Sequence, residues 1–85
     1  MEFVYTFHAL TEMTRRKIEP IWVERALRDP DRIEADPQRV GVFRYYAMVP
    51  EREDRFIRVA AVPIGSGFRI VTAMLDRGER KRRAK

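Results

Sequence analysis

Apolar residues change their spacing as this chain is read from its start. Glu2-Phe3-Val4-Tyr5-Thr6-Phe7 is β-branched and aromatic, which predicts a short strand. From His8 to Lys17 helix formers take over. Ala9 and Met13 share one side, and His8, Glu12 and Arg16 recur at four-residue steps on another. Pro20 predicts the first turn of a second helix, because a proline there forfeits no hydrogen bond. Ile21, Trp22, Val23, Ala26 and Leu27 supply its apolar stripe, and Asp29-Pro30-Asp31 ends it.

The period then falls from 3.6 to 2. Arg32 to Ala35 predicts a short strand running into the Asp36-Pro37 turn. Val40 to Val49, Arg55 to Val62 and Phe68 to Arg77 predict three longer ones. A polar turn (Pro50 to Asp54) and a glycine turn (Ile64-Gly65-Ser66-Gly67) join them, as in an antiparallel meander. The predicted class is α+β: an N-terminal short strand, and two helices packed on one face of a curled antiparallel sheet of three to four strands. Short turns set a register. Tyr45 should pair with Val59, and Val59 with Val71, under the helices. Tyr46, Arg58 and Thr72 should form a row on the opposite face, with Arg44 one step away. Two arginines and a tyrosine are costly to bury, so that face is expected to be solvated or to bind something.

Composition narrows the chemistry. Eighty-five residues make one small domain, which buries only about 60–65% of the surface its unfolded chain exposes. With no cysteine, disulfides, thiolate metal sites and a cysteine nucleophile are excluded, and one histidine excludes a site of several imidazoles. The acids Glu51, Glu53 and Asp54 cluster in one turn and read as solvated, so no metal and no cofactor is expected. The longest apolar run, Val59 to Ile64, contains Pro63 and is too short to span a bilayer. The opening residues lack the pattern of a secretory leader, so the expected location is cytoplasmic.

Net charge is +5, but +4 of it lies in Gly78 to Lys85, leaving residues 1–77 at +1. Residues 1–77 are therefore read as the folded domain, and 78–85 as a disordered basic tail suited to polyanions. Most of the cations are arginine, whose planar fork grips phosphate; a GC-rich genome would give the same bias.

Phe7-His8-Ala9 followed by Met13, Arg16 and Ile18 resembles the "H-A-x-x-R-M-x-x-R-x-I" opening of the domain-of-unknown-function 4258 family. Val23 to Leu27 with Pro30 is similar to its "L-x-x-P" helix end, Arg44-Tyr45-Tyr46 to its "R-Y" strand, and Arg69-Ile70-Val71-Thr72-Ala73 to its closing "I-V-T-A/V" strand. Glu12 stands where the family often has Arg, and Lys17 where it usually has Gly. The resemblance implies the sheet-and-helices fold of RelE/ParE-type toxins, the group that includes BrnT-like ribonucleases. It further implies an endoribonuclease acting on RNA, mRNA above all, with a cognate antitoxin protein as partner.

Metal-free RNA cleavage needs a base for the 2′-hydroxyl, an acid for the departing 5′-oxygen and cations for the charge developing on phosphorus. Five residues are the catalytic candidates. His8 offers a group that titrates near neutrality. Arg16, Arg44 and Arg58 offer phosphate clamps, and Tyr46 offers a phenol to orient the nucleophile or stack on a base. Arg15, standing in for the missing family Arg, and Thr72 are the substrate-binding candidates. Each has a plainer alternative. His8 would satisfy helix-start amides, Arg16 would pair with Glu12, and Arg44 and Arg58 would keep an exposed sheet soluble. A binding module without catalysis therefore stays open beside the nuclease.

Overall fold

The computed structural model describes residues 1–76; Arg77 and the basic segment 78–85, expected as a strand end and a tail, lie outside the described residues. Five strands, β1 (Phe3–Tyr5), β2 (Arg32–Ala35), β3 (Phe43–Val49), β4 (Arg55–Ile64) and β5 (Gly67–Asp76), form one sheet in the order β1-β5-β4-β3-β2. Helices α1 (Phe7–Arg16) and α2 (Pro20–Arg28) pack on one face of it, so the class is α+β as expected. The sheet is larger than predicted and mixed, because β1 pairs parallel with β5 through Phe3↔Phe68 and Tyr5↔Ile70. The long crossover through both helices and three strands makes that pairing possible.

Local chemistry sets the helix ends. The Thr6 side chain accepts from the Ala9 amide and caps α1, so the capping role offered for His8 belongs to Thr6. At the other end Lys17 is left-handed, with φ 57°. Its amide donates to Thr14 O and that of Ile18 to Met13 O, while Ile18 and Met13 both join the core. That is a Schellman cap, whose left-handed position favours glycine; Lys17 occupies it at a cost of about 1 kcal/mol. In α2, Trp22, Val23, Ala26 and Leu27 are buried, whereas Ile21 is exposed because the helical step turns it away from the stripe.

The core lies between the helices and the sheet rows Tyr45–Val59–Ala73 and Ala47–Ile57–Leu75. Ile57, Val59 and Ile70 are fully covered, each contributing about 1.5–3 kcal/mol by burial. Tyr5 packs at the margin with its hydroxyl donated to Glu24 Oε2 at 2.6 Å, and Phe43 is left partly exposed at the start of β3. Gly65, φ +47°, is the first central residue of the two-residue turn between β4 and β5, a place where glycine is favoured. Gly67 is required by packing: a Cβ there would overlap the Glu2 carbonyl, which accepts from the Phe68 amide and docks β1.

The β3–β4 register is as expected, with Tyr45 opposite Val59 and Tyr46 opposite Arg58. Between β4 and β5 it is not. A bulge between Ala60 and Ala61 places Ala73 opposite Val59, Met74 opposite Arg58 and Thr72 opposite Ala60. On the turn side of the bulge the Gly65-Ser66 loop sets Ala61 opposite Ile70, which puts Ile70 in the core where Val71 had been expected.

Candidate functional site

On the sheet face away from the helices, residues form two rows across four strands. Arg32, Tyr46, Arg58 and Met74 make one row; Glu34, Arg44, Ala60 and Thr72 make the next. Of the seven predicted site residues, Arg44, Arg58 and Thr72 are therefore brought together, lining a small recess with Asp36, Arg39, Ala60 and Met74. Thr72 sits one row further along than the sequence predicted, because the two-residue Gly65-Ser66 turn and the bulge each shift the register by one residue.

This face is neither bare nor cationic. Tyr46 is only 2% exposed, its ring beneath the Arg32 guanidinium at 4.0 Å and its hydroxyl donated to Glu34 Oε2 at 2.7 Å. That corrects the expectation of a phenol free to stack on a base: long arginine stems lie down on a sheet face and cover it. Arg44 Nε is 3.4 Å from Asp36 Oδ2 and its Nη1 3.8 Å from Glu34 Oε2, while Arg58 Nη1 is 3.7 Å from Asp76 Oδ2. Asp36 is itself buried, and its other oxygen accepts from the amides of Gln38 and Arg39. Those backbone bonds, with the Arg39 and Arg44 charges, hold its carboxyl below the usual carboxylate range. Glu34 is lowered in the same way, first by Tyr46 and then by Arg32. The predicted phosphate clamps of this face each have a carboxylate within ion-pair reach.

His8, Arg15 and Arg16 lie elsewhere, on α1 beside the outer edge of β5. Spacing on one helix face brings them to Glu12, which pairs with Arg15 Nη2 at 2.5 Å and Arg16 Nη2 at 2.9 Å. The Arg15 hydrogen bond, with smaller contributions from Arg16 and His8, holds the Glu12 carboxyl below its ordinary value. Arg16 Nη1 also donates to Ala73 O at 2.9 Å, and Thr6 takes Ile70 O and Val71 O. These bonds occupy the β5 edge beyond the short β1. The paired reading of Arg16 with Glu12 is thus what the structure shows, and His8 is exposed at the helix start. The seven candidates form two groups rather than one, with the β5 segment Thr72-Ala73-Met74 between them.

Sequence reasoning missed two further arginines. Arg52, in the 3-10 turn Pro50–Arg52, and Arg55, the first residue of β4, meet Arg16 at the end of the sheet. A signal was present: Arg55 alternates in phase with Ile57, Val59 and Ala61 and so falls on the apolar side of β4, an odd place for a cation. Of the acids in the preceding turn, Glu51 is not simply solvated. Arg25 grips both its oxygens, at 3.1 and 2.9 Å, and lowers it to about 2. No cluster of potential metal ligands occurs among the described residues, and none of their helices is long and apolar enough to cross a membrane.

Fold and charge together define a small, arginine-rich α+β domain, with ion-paired arginines on one sheet face and further arginines at the α1 edge and at one end of the sheet. Residues 5–75 match the model of the family described as Domain of unknown function (DUF4258), and the chain belongs to that family. Searches of the curated proteins and of the solved structures gave no match.

Proposed function

We propose that the chain is an RNA-directed domain of the RelE/ParE toxin type. In this reading it is a cytoplasmic endoribonuclease that needs no metal ion and is restrained by a cognate antitoxin. The observation that carries this reading is the α1 edge, where an exposed imidazole, a carboxylate and two guanidinium groups share one helix face. His8 is the group that moves protons between the 2′-hydroxyl and the departing 5′-oxygen. Glu12, kept ionised by Arg15, holds both arginines in place on the helix face that His8 shares. Arg15 and Arg16 face the charge that builds on the phosphoryl oxygens. Thr72 and the Arg44–Arg58 recess lie on the other side of β5, where Glu34, Asp36 and Asp76 tie the two arginines into the sheet, and they take no part in the cutting.

One observation favours a second reading, binding without cleavage: Tyr46 is buried, and every arginine of the predicted site is ion-paired, Arg15 and Arg16 with Glu12, Arg44 with Asp36 and Arg58 with Asp76. A single assay separates the two. Purified protein is incubated with RNA in the presence of a metal chelator, alongside His8→Ala, and both cleavage and salt-dependent binding are measured. Scission by the native chain that disappears in His8→Ala supports the nuclease. Binding by both proteins with no scission by either supports the binding module.

A further inference from the structure

Where α1 stops, Arg16, Arg52 and Arg55 converge with Met74 and Leu75 on a recess of about 300 Å³ at the end of the sheet. No carboxylate is among the described residues that line it. Its three cations reach it from α1, the 3-10 turn and β4, and each is differently constrained. Arg16 is pinned by Ala73 O and Glu12. Arg52 donates to Lys17 O at 3.3 Å, with its guanidinium 5.7 Å from the Trp22 ring centroid. Arg55 is less settled: its Nε is buried and has no hydrogen-bond partner among the described residues. A guanidinium N–H removed from water without an acceptor costs free energy, and an anion placed against it removes that cost.

We infer that this recess binds a phosphomonoester dianion. Three guanidinium charges, one of them partly offset by Glu12, exceed what a single carboxylate would balance. Forked donors arriving from three directions suit the several oxygens of a phosphate better than the two of a carboxylate. Met74 and Leu75 form an apolar wall that suits the ester side of the ligand rather than a second charged group. Arg52 and Arg55 belong to neither group of candidates from the sequence, so the inference holds whether or not the chain cleaves RNA. The dianion has two sources, free phosphate or the phosphate at an RNA terminus.

The test titrates the full chain with inorganic phosphate and, separately, with one short RNA in 5′-phosphorylated and 5′-hydroxyl forms. It is run on the native protein, Arg55→Gln, Arg55→Lys, Arg52→Gln and the charge-matched control Arg69→Gln, each checked for folding by circular dichroism. The native chain and Arg69→Gln should bind phosphate saturably. Arg55→Gln and Arg52→Gln should each weaken it about tenfold, with Arg55→Lys between, because the fork is lost but the charge kept. Phosphate bound as tightly as the phosphorylated RNA identifies a free-phosphate site; a marked preference for the phosphorylated RNA identifies an RNA terminus. Two results overturn the inference: no saturable phosphate binding together with no preference between the two RNAs, or equal losses in Arg55→Gln and Arg69→Gln.

Discussion

Arg44 and Arg55 stand on neighbouring strands of one sheet and keep opposite company. Arg44 lies on the face away from the helices, between Glu34 and a buried Asp36. Arg55 lies on the helix side at the sheet end, beside two other arginines, and its Nε has no hydrogen-bond partner among the described residues. Both are half-buried cations of the same type, and only their partners differ. The lesson is that an arginine count does not make a binding surface. Where each guanidinium has a carboxylate of its own in reach, the arrangement holds its own strands together; where guanidinium groups outnumber the carboxylates, it presents charge to a ligand.

The hardest way to break this contrast is through Tyr46. If the face around Arg44 is framework, Tyr46→Ala should cost about 3–5 kcal/mol, the range for removing a buried aromatic ring. Denaturant unfolding checks this, and a loss below about 1 kcal/mol would mean the ring is not held as described. The α1 edge should behave in the reverse sense. His8→Ala should lower RNA cleavage about 10²–10⁴-fold, as for loss of a proton-transfer group, while stability stays within about 0.5 kcal/mol, as for an exposed residue. Initial rates and thermal melts on the same preparations measure both.

Lys17 offers a smaller test, placed between the two arginines of α1 and the recess. Lys17→Gly relieves the left-handed strain at the α1 cap and should stabilise the fold by about 1 kcal/mol. It should leave phosphate binding unchanged, since Arg52 is held by the Lys17 carbonyl and not by its side chain.

Acid pH gives the smallest effect and touches both regions. Tyr46 and Arg32 lower Glu34, Arg15 lowers Glu12, and Arg25 brings Glu51 from 4.5 to about 2. A carboxyl whose folded value is depressed stabilises fully above its unfolded value and loses that contribution as pH falls through the folded one. Melting temperature should therefore decline as pH drops from 4.5 toward 2, the span set by Glu51. Tyr46→Phe should flatten the share due to Glu34, and Arg25→Gln that due to Glu51. A melting temperature that rises over this interval would reverse the sign.

Strand alternation made the β3–β4 pairing legible, down to Tyr46 opposite Arg58, because one slipped residue would have turned every core side chain outward. Pro20 marked the start of α2 for an equally local reason. What escaped was non-local. A three-residue β1 carries too few side chains to name its partner, and its parallel pairing closes only after the rest of the chain is built. The bulge at Ala60/Ala61 follows no visible break in the pattern, yet together with the tight Gly65-Ser66 turn it moves Thr72 by a row. Ion pairs such as Arg44 with Asp36 or Arg25 with Glu51 depend on where loops and helices settle, so cations that looked free in the sequence are not. Arg52 and Arg55 were hidden in a stretch dominated by acids, although the phase of Arg55 within β4 pointed inward.

The contrast between the two arginine groups is tested most directly by backbone amide shifts of the full chain during titration with a short 5′-phosphorylated RNA. The largest changes are predicted at His8, Arg16, Arg52, Arg55 and Leu75, with Glu34, Arg44 and Tyr46 little affected. A map centred instead on Glu34, Arg44, Tyr46 and Arg58, with the α1 edge and the end recess silent, would contradict it.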